Sequence, residues 1–131
     1  MADIDKLIRD HLSKDGQILS LKAKYIREVG AKLLAQREEL SGLRALDLSQ
    51  NDIGDEGVRA IAESPIFSNL RQLNLKSNRI TDVGAAYLAN STTLSNLRSL
   101  QMVVNDLTEE GEKMLRNSPH LISLTSLKFR V

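Results

Sequence analysis

Apolar residues recur along this chain at a fixed interval of 27 residues. At this interval, leucines open four equivalent segments: Leu43, Leu70, Leu97 and Leu124. Three more apolar columns keep the same spacing: Ile26, Ile53, Ile80 and Leu107; Leu34, Ile61, Leu88 and Leu115; and Leu40, Phe67, Leu94 and Leu121. A fixed period of this length predicts a stack of equal units that share one hydrophobic core.

Within one unit, residues 43–69, the apolar pattern changes its period. Leu46 and Leu48 alternate with small or polar residues, which predicts a strand with one apolar face. After a turn at Asn51, residues 55–63 place apolar side chains at helical spacing. Alternating strands and helices predict an α/β fold, with a parallel sheet on one side and helices on the other.

The segment Leu43-Arg-Ala-Leu46-Asp-Leu48-Ser-Gln-Asn51 returns twice, once with methionine for its third leucine. This segment resembles the leucine-rich repeat. The 27-residue period and the Ile-x-x-x-Gly start of each helix are similar to the ribonuclease-inhibitor-like class of that family. The resemblance covers residues 16–131. It implies a leucine-rich-repeat solenoid, a right-handed β/α horseshoe arc with the sheet on its concave face and the helices on its convex face.

The repeat divides the chain into a cap and repeating units. The predicted segments are an N-terminal capping helix (1–15), four units (16–42, 43–69, 70–96 and 97–123) and a final strand (124–131). Apolar residues share one helical face within residues 2–14, which favours a helix that covers the open edge of the first unit. A helix that docks on a partner is the alternative.

Asparagine follows three of the predicted strands, at Asn51, Asn78 and Asn105. These side chains are expected to point inward and to satisfy their amides on the backbone of adjacent turns. The first unit has Lys24 at this position, so its turn is expected to be looser or more solvated.

Composition narrows the classes of function. The formal charge of +1 selects neither nucleic acid nor a membrane as partner, and the absence of cysteine excludes disulfides and favours an intracellular setting. No signal peptide is evident, which predicts a cytoplasmic protein, or one delivered to a host cytosol if it is a bacterial effector. The two histidines, His11 and His120, lack catalytic or metal-binding spacing. We expect no enzyme activity, no cofactor and no metal.

The sequence therefore predicts a non-catalytic scaffold that binds another protein on the concave sheet face and its rim. The candidate contact residues on that face are Asp47, Gln50, Gln72, Asn74, Lys76, Gln101, Val103, Val104, Lys128 and Arg130. The alternative is that these are ordinary solvated sheet residues. Val103 and Val104 form either an exposed apolar patch or a pair that packs beneath a loop.

Arginine follows the opening leucine in three units, at Arg44, Arg71 and Arg98. Stacked strands lie ~4.8 Å apart, so three guanidinium groups crowd one rim and form a cradle for a phosphate or an acidic loop. In the alternative interpretation, their aliphatic stems shield apolar edges. Nucleic acid binding is not expected, because a wider basic field and stacking aromatic residues are missing.

The last strand alternates Leu127, Phe129 and Val131 and has no helix after it. An unpaired strand edge favours pairing, so residues 121–131 are expected to promote self-association, such as a homodimer. The alternative is that the chain is a fragment of a longer array. Lys128 and Arg130 are candidate charged residues that keep this edge soluble. Two further functions stay open: a structural assembly module, and a regulator that inhibits or activates a partner enzyme.

Overall fold

Helices and strands alternate along the computed structural model, which describes residues 2–131. The elements are α1 (Ile4–His11), β1 (Ile18–Ser20), α2 (Arg27–Leu34), β2 (Ala45–Asp47), α3 (Gly54–Glu63), β3 (Gln72–Asn74), α4 (Asp82–Ala89), β4 (Ser99–Gln101), α5 (Glu109–Arg116) and β5 (Ser126–Lys128). Short 3-10 helices at Glu38–Leu40 and Pro65–Phe67 follow α2 and α3. Met1, which the predicted cap includes, lies outside the described residues.

Within residues 2–131, the five strands form one parallel sheet in the order β1-β2-β3-β4-β5. Paired residues are one period apart, as in Leu46 with Leu73 and Leu73 with Leu100. A helix lies in each connection between strands, and α2, α3, α4 and α5 pack in sequence against one another. The prediction of an α/β leucine-rich-repeat solenoid is confirmed.

The apolar columns meet in one continuous core. Leu43, Leu70 and Leu97 are completely buried. Towards the C-terminal end, Leu107 and Leu124 are only half-buried. In the described part of the chain β5 has a neighbour on one side only, so the last unit covers its apolar side chains less completely.

The predicted asparagine ladder is present between the turns. The Oδ1 atom of Asn78 accepts the backbone N–H groups of Asn51 and Ile53 at 3.1 and 3.3 Å. Its Nδ2 donates to the backbone oxygens of Leu48 and Lys76 at 2.9 and 3.2 Å. The other two asparagines repeat this pattern, so each one fastens its own turn to the preceding one.

The first turn, which has Lys24 in place of asparagine, is closed by the second unit. The Oδ1 atom of Asn51 accepts the backbone N–H groups of Lys24 and Ile26 at 2.9 and 3.2 Å. Lys24 itself is half-buried. The ladder therefore includes the first turn, although that turn has no asparagine of its own.

Helix α1 covers the N-terminal end of the stack. Ile4 and Ile8 are buried against the first unit, and Leu7 is half-buried. After α1, Leu12 forms an antiparallel bridge with Leu19 of β1. The chain therefore shields the outer edge of β1 through both side chains and backbone.

Candidate functional site

Strands β1 to β4 bury their central residue, β5 half-buries Leu127, and all five turn the two flanking residues away from the core. This alternation follows from the pleat of a β-strand. The outward side chains form a shallow surface, which we call the sheet face: Ile18, Ser20, Ala45, Asp47, Gln72, Asn74, Ser99, Gln101, Ser126 and Lys128. The surface is polar at most positions and contains no aromatic side chain.

Five predicted contact residues lie on the sheet face, and three of them have unused polar groups. Gln72 and Lys128 are exposed, and Gln101 is half-buried. Their side chains make no hydrogen bond to protein groups among residues 2–131. Amide and ammonium groups in this state can bind a partner without first breaking an internal bond.

The other two contact residues on the sheet face, Asp47 and Asn74, also close turns. The Oδ1 atom of Asp47 accepts the backbone N–H and the hydroxyl of Ser49 at 2.9 and 2.7 Å. The Oδ1 atom of Asn74 accepts the backbone N–H of Lys76 at 3.0 Å. Both side chains are therefore partly committed to local structure.

The predicted pair of exposed valines is split by the turn. Val104 is 64% exposed, but Val103 is only 3% exposed, so the prediction that Val103 contributes to an exposed patch is wrong. Strand alternation ends at Gln101, and the chain then turns through left-handed backbone at Val104, with φ at 57°. Ser49, which occupies the same repeat position two units before Val103, is also buried.

The remaining candidates lie beyond the strand ends. Gln50 is exposed and has left-handed backbone, while Lys76 is half-buried. Arg130 was expected on the sheet face, and this is wrong: its Nη2 donates to Oε2 of Glu112 in α5 at 2.7 Å. No strand follows β5 in the described residues, so the Arg130 side chain folds over the uncovered side of the last unit to reach this buried carboxylate.

Arg44, Arg71 and Arg98, which we call the arginine row, lie one residue before the strands at the amino-terminal edge of the sheet. The backbone oxygen of Arg44 accepts the N–H groups of Arg71 and Gln72 at 2.8 and 2.9 Å, and the next two rungs repeat this arrangement. Arg44 and Arg98 are exposed and Arg71 is half-buried. The backbone thus fixes three cationic residues on adjacent strands.

The guanidinium groups of the arginine row repel one another. None of the three forms an ion pair or donates a side-chain hydrogen bond to a group within residues 2–131. The charge of Arg44, followed by that of Arg98 and by desolvation, lowers the pKa of Arg71 from its ordinary value. A lowered pKa is the shift expected when Arg71 lies beside like charges and has no counter-ion.

Two asparagines beside the arginine row were missed by the sequence analysis. The Nδ2 groups of Asn69 and Asn96 donate to the backbone oxygens of Ser41 and Ser68 at 3.0 and 2.8 Å. Both line a polar groove along the row, and their 27-residue spacing was the available signal. Asn69 and Asn96 belong neither to an apolar column nor to a strand.

The C-terminal edge keeps apolar surface accessible. Leu127 and Phe129 are half-buried, and Val131 is fully exposed. The Arg116 guanidinium lies 5.1 Å from the centre of the Phe129 ring, which is cation–π geometry. Arginine side chains from α5 and the terminal segment therefore cover part of this edge.

The part of the chain from residue 2 to 131 holds no cluster of three or more histidine, aspartate or glutamate side chains suited to a metal ion. His11 is in α1 and His120 follows α5. Over the same range, the helices are too short and too polar to cross a lipid bilayer.

A family model described as Leucine Rich repeat matches residues 42–62 and 68–89. The chain therefore contains leucine-rich repeats. The matched segments contain β2 with most of α3, and β3 with α4, so they include Arg44, Arg71 and the centre of the sheet face. The ribonuclease-inhibitor-like class stays a prediction from the period. A comparison with curated proteins finds no match.

Proposed function

We propose that this protein is a non-catalytic scaffold that binds another protein on its sheet face and along the arginine row. Leucine-rich repeats commonly mediate protein–protein binding. The observation that supports this proposal is the group of side chains on the sheet face with unused polar atoms, Gln72, Gln101 and Lys128. The proposed partner is a protein, with no nucleic acid, membrane or cofactor involved, and the proposed location is the cytoplasm.

The size of the surface sets the expected affinity. The ten sheet-face positions and the three arginines are fewer than the ~20–30 residues a side of a standard interface. The surface also lacks tryptophan, tyrosine and phenylalanine, which anchor many interfaces. A partner that uses this surface alone therefore binds with modest affinity, and Gln50 and the exposed Val104 extend the contact at the carboxyl ends of the strands.

Affinity capture with the folded chain as bait tests the proposal. The variant Gln72→Arg with Gln101→Arg places two bulky cations on the sheet face. The matched control, Gln36→Arg with Asn90→Arg, adds the same charge at exposed positions after α2 and α4. We expect proteins that bind the wild type and the control to be lost from the sheet-face variant, and identical captured sets would reject the proposal.

Self-association through the C-terminal edge is a second candidate function. The outer edge of β5 carries no partner strand within residues 2–131, and Val131 is fully exposed. A dimer at this edge predicts a concentration-dependent mass in sedimentation equilibrium, which Val131→Asp reduces and Val83→Asp, at an exposed position in α4, does not. A monomer at high concentration rejects this candidate.

Regulation of a partner enzyme is a consequence that the scaffold hypothesis leaves open. A captured enzyme would be assayed with increasing amounts of the wild-type chain and of the Gln72→Arg, Gln101→Arg variant. Inhibition or activation by the wild type alone would support a regulatory role through the sheet face. An unchanged rate at saturating binding would assign the surface to assembly instead.

A further inference from the structure

We propose that the arginine row binds an acidic segment of the partner protein, with carboxylates facing Arg44, Arg71 and Arg98. This inference rests on the proposed function, because it specifies the chemistry of the partner at the rim of the sheet face. It commits to a protein segment with regularly spaced aspartate or glutamate side chains.

The first support is the contrast with other arginines in the described chain. Of the seven arginines outside the row, five pair with carboxylates of the protein itself, and Arg9 and Arg27 form no ion pair within residues 2–131. The five are Arg37, Arg59, Arg79, Arg116 and Arg130. The three in the row have no such partner between residues 2 and 131. Each guanidinium presents five N–H donors in a fork that fits a carboxylate. An acidic ligand would satisfy these donors and relieve the repulsion among the three charges.

Backbone geometry supplies the second support. The backbone oxygens of Arg44 and Arg71 each accept two N–H groups of the following strand, so the Cα positions of the row are fixed by the sheet. Neighbouring strands lie ~4.8 Å apart. Acidic residues three or four positions apart on a helix lie about 5–6 Å apart and match this spacing. An extended segment presents side chains on one face only every ~6.8 Å. A helix with acidic residues at every third or fourth position is therefore the better fit.

The polar groove beside the arginine row adds hydrogen-bonding groups at one end of the row. Asn69 and Asn96 place their amides next to Arg71 and Arg98, where their Oδ1 and remaining N–H groups add polar contacts. Asp15 lines the opposite end, where its Oδ1 already accepts the Ser13 hydroxyl at 2.7 Å. The negative charge of Asp15 disfavours an anion near Arg44, so the strongest acidic contacts are assigned to Arg71 and Arg98.

An acidic protein segment fits this surface better than nucleic acid. Nucleic acid binding proteins combine broad basic fields with aromatic side chains that stack on bases. The row has three cations, the chain has a net charge of only +1, and the sheet face has no aromatic residue. Carboxylate pairing needs only the guanidinium forks that are present.

A peptide titration followed by NMR tests the inference. The probe is an alanine-rich helical peptide with glutamate at every fourth position, and the control peptide replaces each glutamate by glutamine. At low salt we expect the acidic probe to shift the backbone amides of Arg71, Gln72, Arg98 and Ser99. Since exposed ion pairs are individually weak, Arg71→Gln with Arg98→Gln is expected to weaken binding roughly tenfold. Raised salt weakens it further.

Matched controls separate the row from net charge. Arg9→Gln with Lys113→Gln removes the same charge at exposed positions that form no ion pair in the described residues. This variant should bind the acidic probe as the wild type does. Equal weakening in both variants, or no binding of the probe, overturns the inference. Tighter binding of inorganic phosphate or oligothymidylate at the row also overturns it, in favour of a phosphate ligand.

The capture experiment distinguishes this inference from the proposed function. If Gln72→Arg with Gln101→Arg loses its partners while Arg71→Gln with Arg98→Gln keeps them, the scaffold proposal stands and the acidic segment is rejected. If both variants keep every partner, both proposals fail. If both lose the same partners and the acidic probe competes for them, both are supported.

Discussion

A buried asparagine must satisfy one acceptor oxygen and two donor N–H groups inside the protein. Asn78 is 0% exposed and does so entirely on the backbone of its own and the preceding unit. A leucine at this position would fill the space but would leave backbone N–H and C=O groups of the turns without hydrogen-bond partners. The polar residue is therefore a structural requirement of each turn, set by backbone groups that secondary structure leaves unpaired.

Substitution of the central asparagine tests this requirement. Asn78→Ala removes the acceptor for two buried N–H groups, at about 1–3 kcal/mol each. We expect the free energy of unfolding in urea to fall by about 2–4 kcal/mol. Asn96→Ala, which removes one hydrogen bond at an exposed position, should cost about 1 kcal/mol or less. Equal losses in the two variants would contradict the ladder as the cause.

Left-handed backbone recurs at the turn after each of the first four strands, with φ between 55° and 57° at Ala23, Gln50, Ser77 and Val104. Residues with a Cβ atom occupy this region at a cost, and a β-branched valine is the least suited to it. Val104 adopts this conformation, and because it is 64% exposed, burial of its side chain does not explain the conformation. The turn geometry is thus imposed by the stack and not by the local residue.

Asparagine at this valine position is expected to stabilise the protein. Val104→Asn relieves left-handed strain at an exposed site and should raise the free energy of unfolding by about 0.5–1 kcal/mol. Val83→Asn, at an exposed position in α4 with helical backbone, should give no gain. Thermal or urea unfolding of both variants decides this, and a loss of stability in Val104→Asn would refute the strain argument.

Helices of adjacent units are joined by polar contacts as well as by packing. The Oδ1 atom of Asp55 in α3 accepts the backbone N–H groups of Thr81 and Gly84 at 2.8 and 3.1 Å. Thr81 also caps α4 through its own side chain. Asp82 repeats the link to Thr108 one unit later. Helices α3 and α4 therefore each hold the start of the following helix, which fixes the spacing of α3, α4 and α5.

Close helix spacing requires glycine on the facing side. A Cβ atom at Gly84 would lie 2.5 Å from Oδ1 of Asp55 and 3.2 Å from Val58. Because that carboxylate is held in place, Gly84→Ala should destabilise the protein by about 1–3 kcal/mol. Gly42→Ala would meet only the backbone oxygen of Gly16, at 3.7 Å, and should change stability by about 1 kcal/mol or less. Urea unfolding of the pair measures the difference, and equal effects would exclude steric contact between helices.

The Asp82 link predicts sensitivity to acid. Hydrogen bonds from the side chain and backbone of Thr108 hold the pKa of Asp82 below its ordinary value. A lowered pKa in the folded state stabilises the protein above the unfolded pKa of about 3.9, and this contribution is lost as pH falls through the folded value. We expect the free energy of unfolding to decline more steeply below about pH 4 in the wild type than in Asp82→Asn.

A double-mutant cycle supplies the control for the acid prediction. Thr108→Val removes the donor hydroxyl that faces Asp82. In this background Asp82→Asn should change the pH profile much less than it does in the wild type. An unchanged difference between the two profiles would assign the acid sensitivity to other carboxylates, such as Asp10 and Asp15, whose pKa values are also lowered.

The whole molecule is a linear array in which each unit contacts only its neighbours. In such arrays stability is close to a sum of unit and interface contributions, and the ends depend on what covers them. Helix α1 covers the first unit, whereas Glu112 with Arg116 and Arg130 forms a charged cluster over the last helix. The two ends of the described array therefore differ: a helix covers the first unit, whereas the last unit has the Glu112 ion pairs beside the half-buried Leu127 and Phe129.

Loosening the cap should affect the array from one end. Ile8 is 4% exposed, so Ile8→Ala removes buried contacts at a cost of about 2–4 kcal/mol. Amide hydrogen exchange should then lose protection in residues 16–42 more than in residues 97–123. Ile122→Ala, at a position 77% exposed, should leave both regions unchanged. A uniform loss of protection with Ile8→Ala would show that the array unfolds as one unit.

The sequence by itself determined the interior of this protein. Leucine at Leu43, Leu70 and Leu97 recurs with the period that pairs one strand with the next, so the core, the strand register and the asparagine ladder all follow from one interval. Side chains within a strand alternate, which also placed Gln72 and Gln101 correctly on the outward surface. Local periodicity is sufficient within the strands, where side chains alternate and each strand pairs with an equivalent one.

The tertiary structure decided the features that depend on turns and ends. Val103 is buried because the strand stops before it, and Arg130 leaves the sheet face because nothing in the described chain stacks beyond β5 and a buried carboxylate at Glu112 attracts it. The absence of a counter-ion at Arg71 likewise depends on which side chains fold nearby within residues 2–131. Period and alternation do not predict these contacts, because alternation ends with each strand and the period does not say which charged side chains of other segments come near.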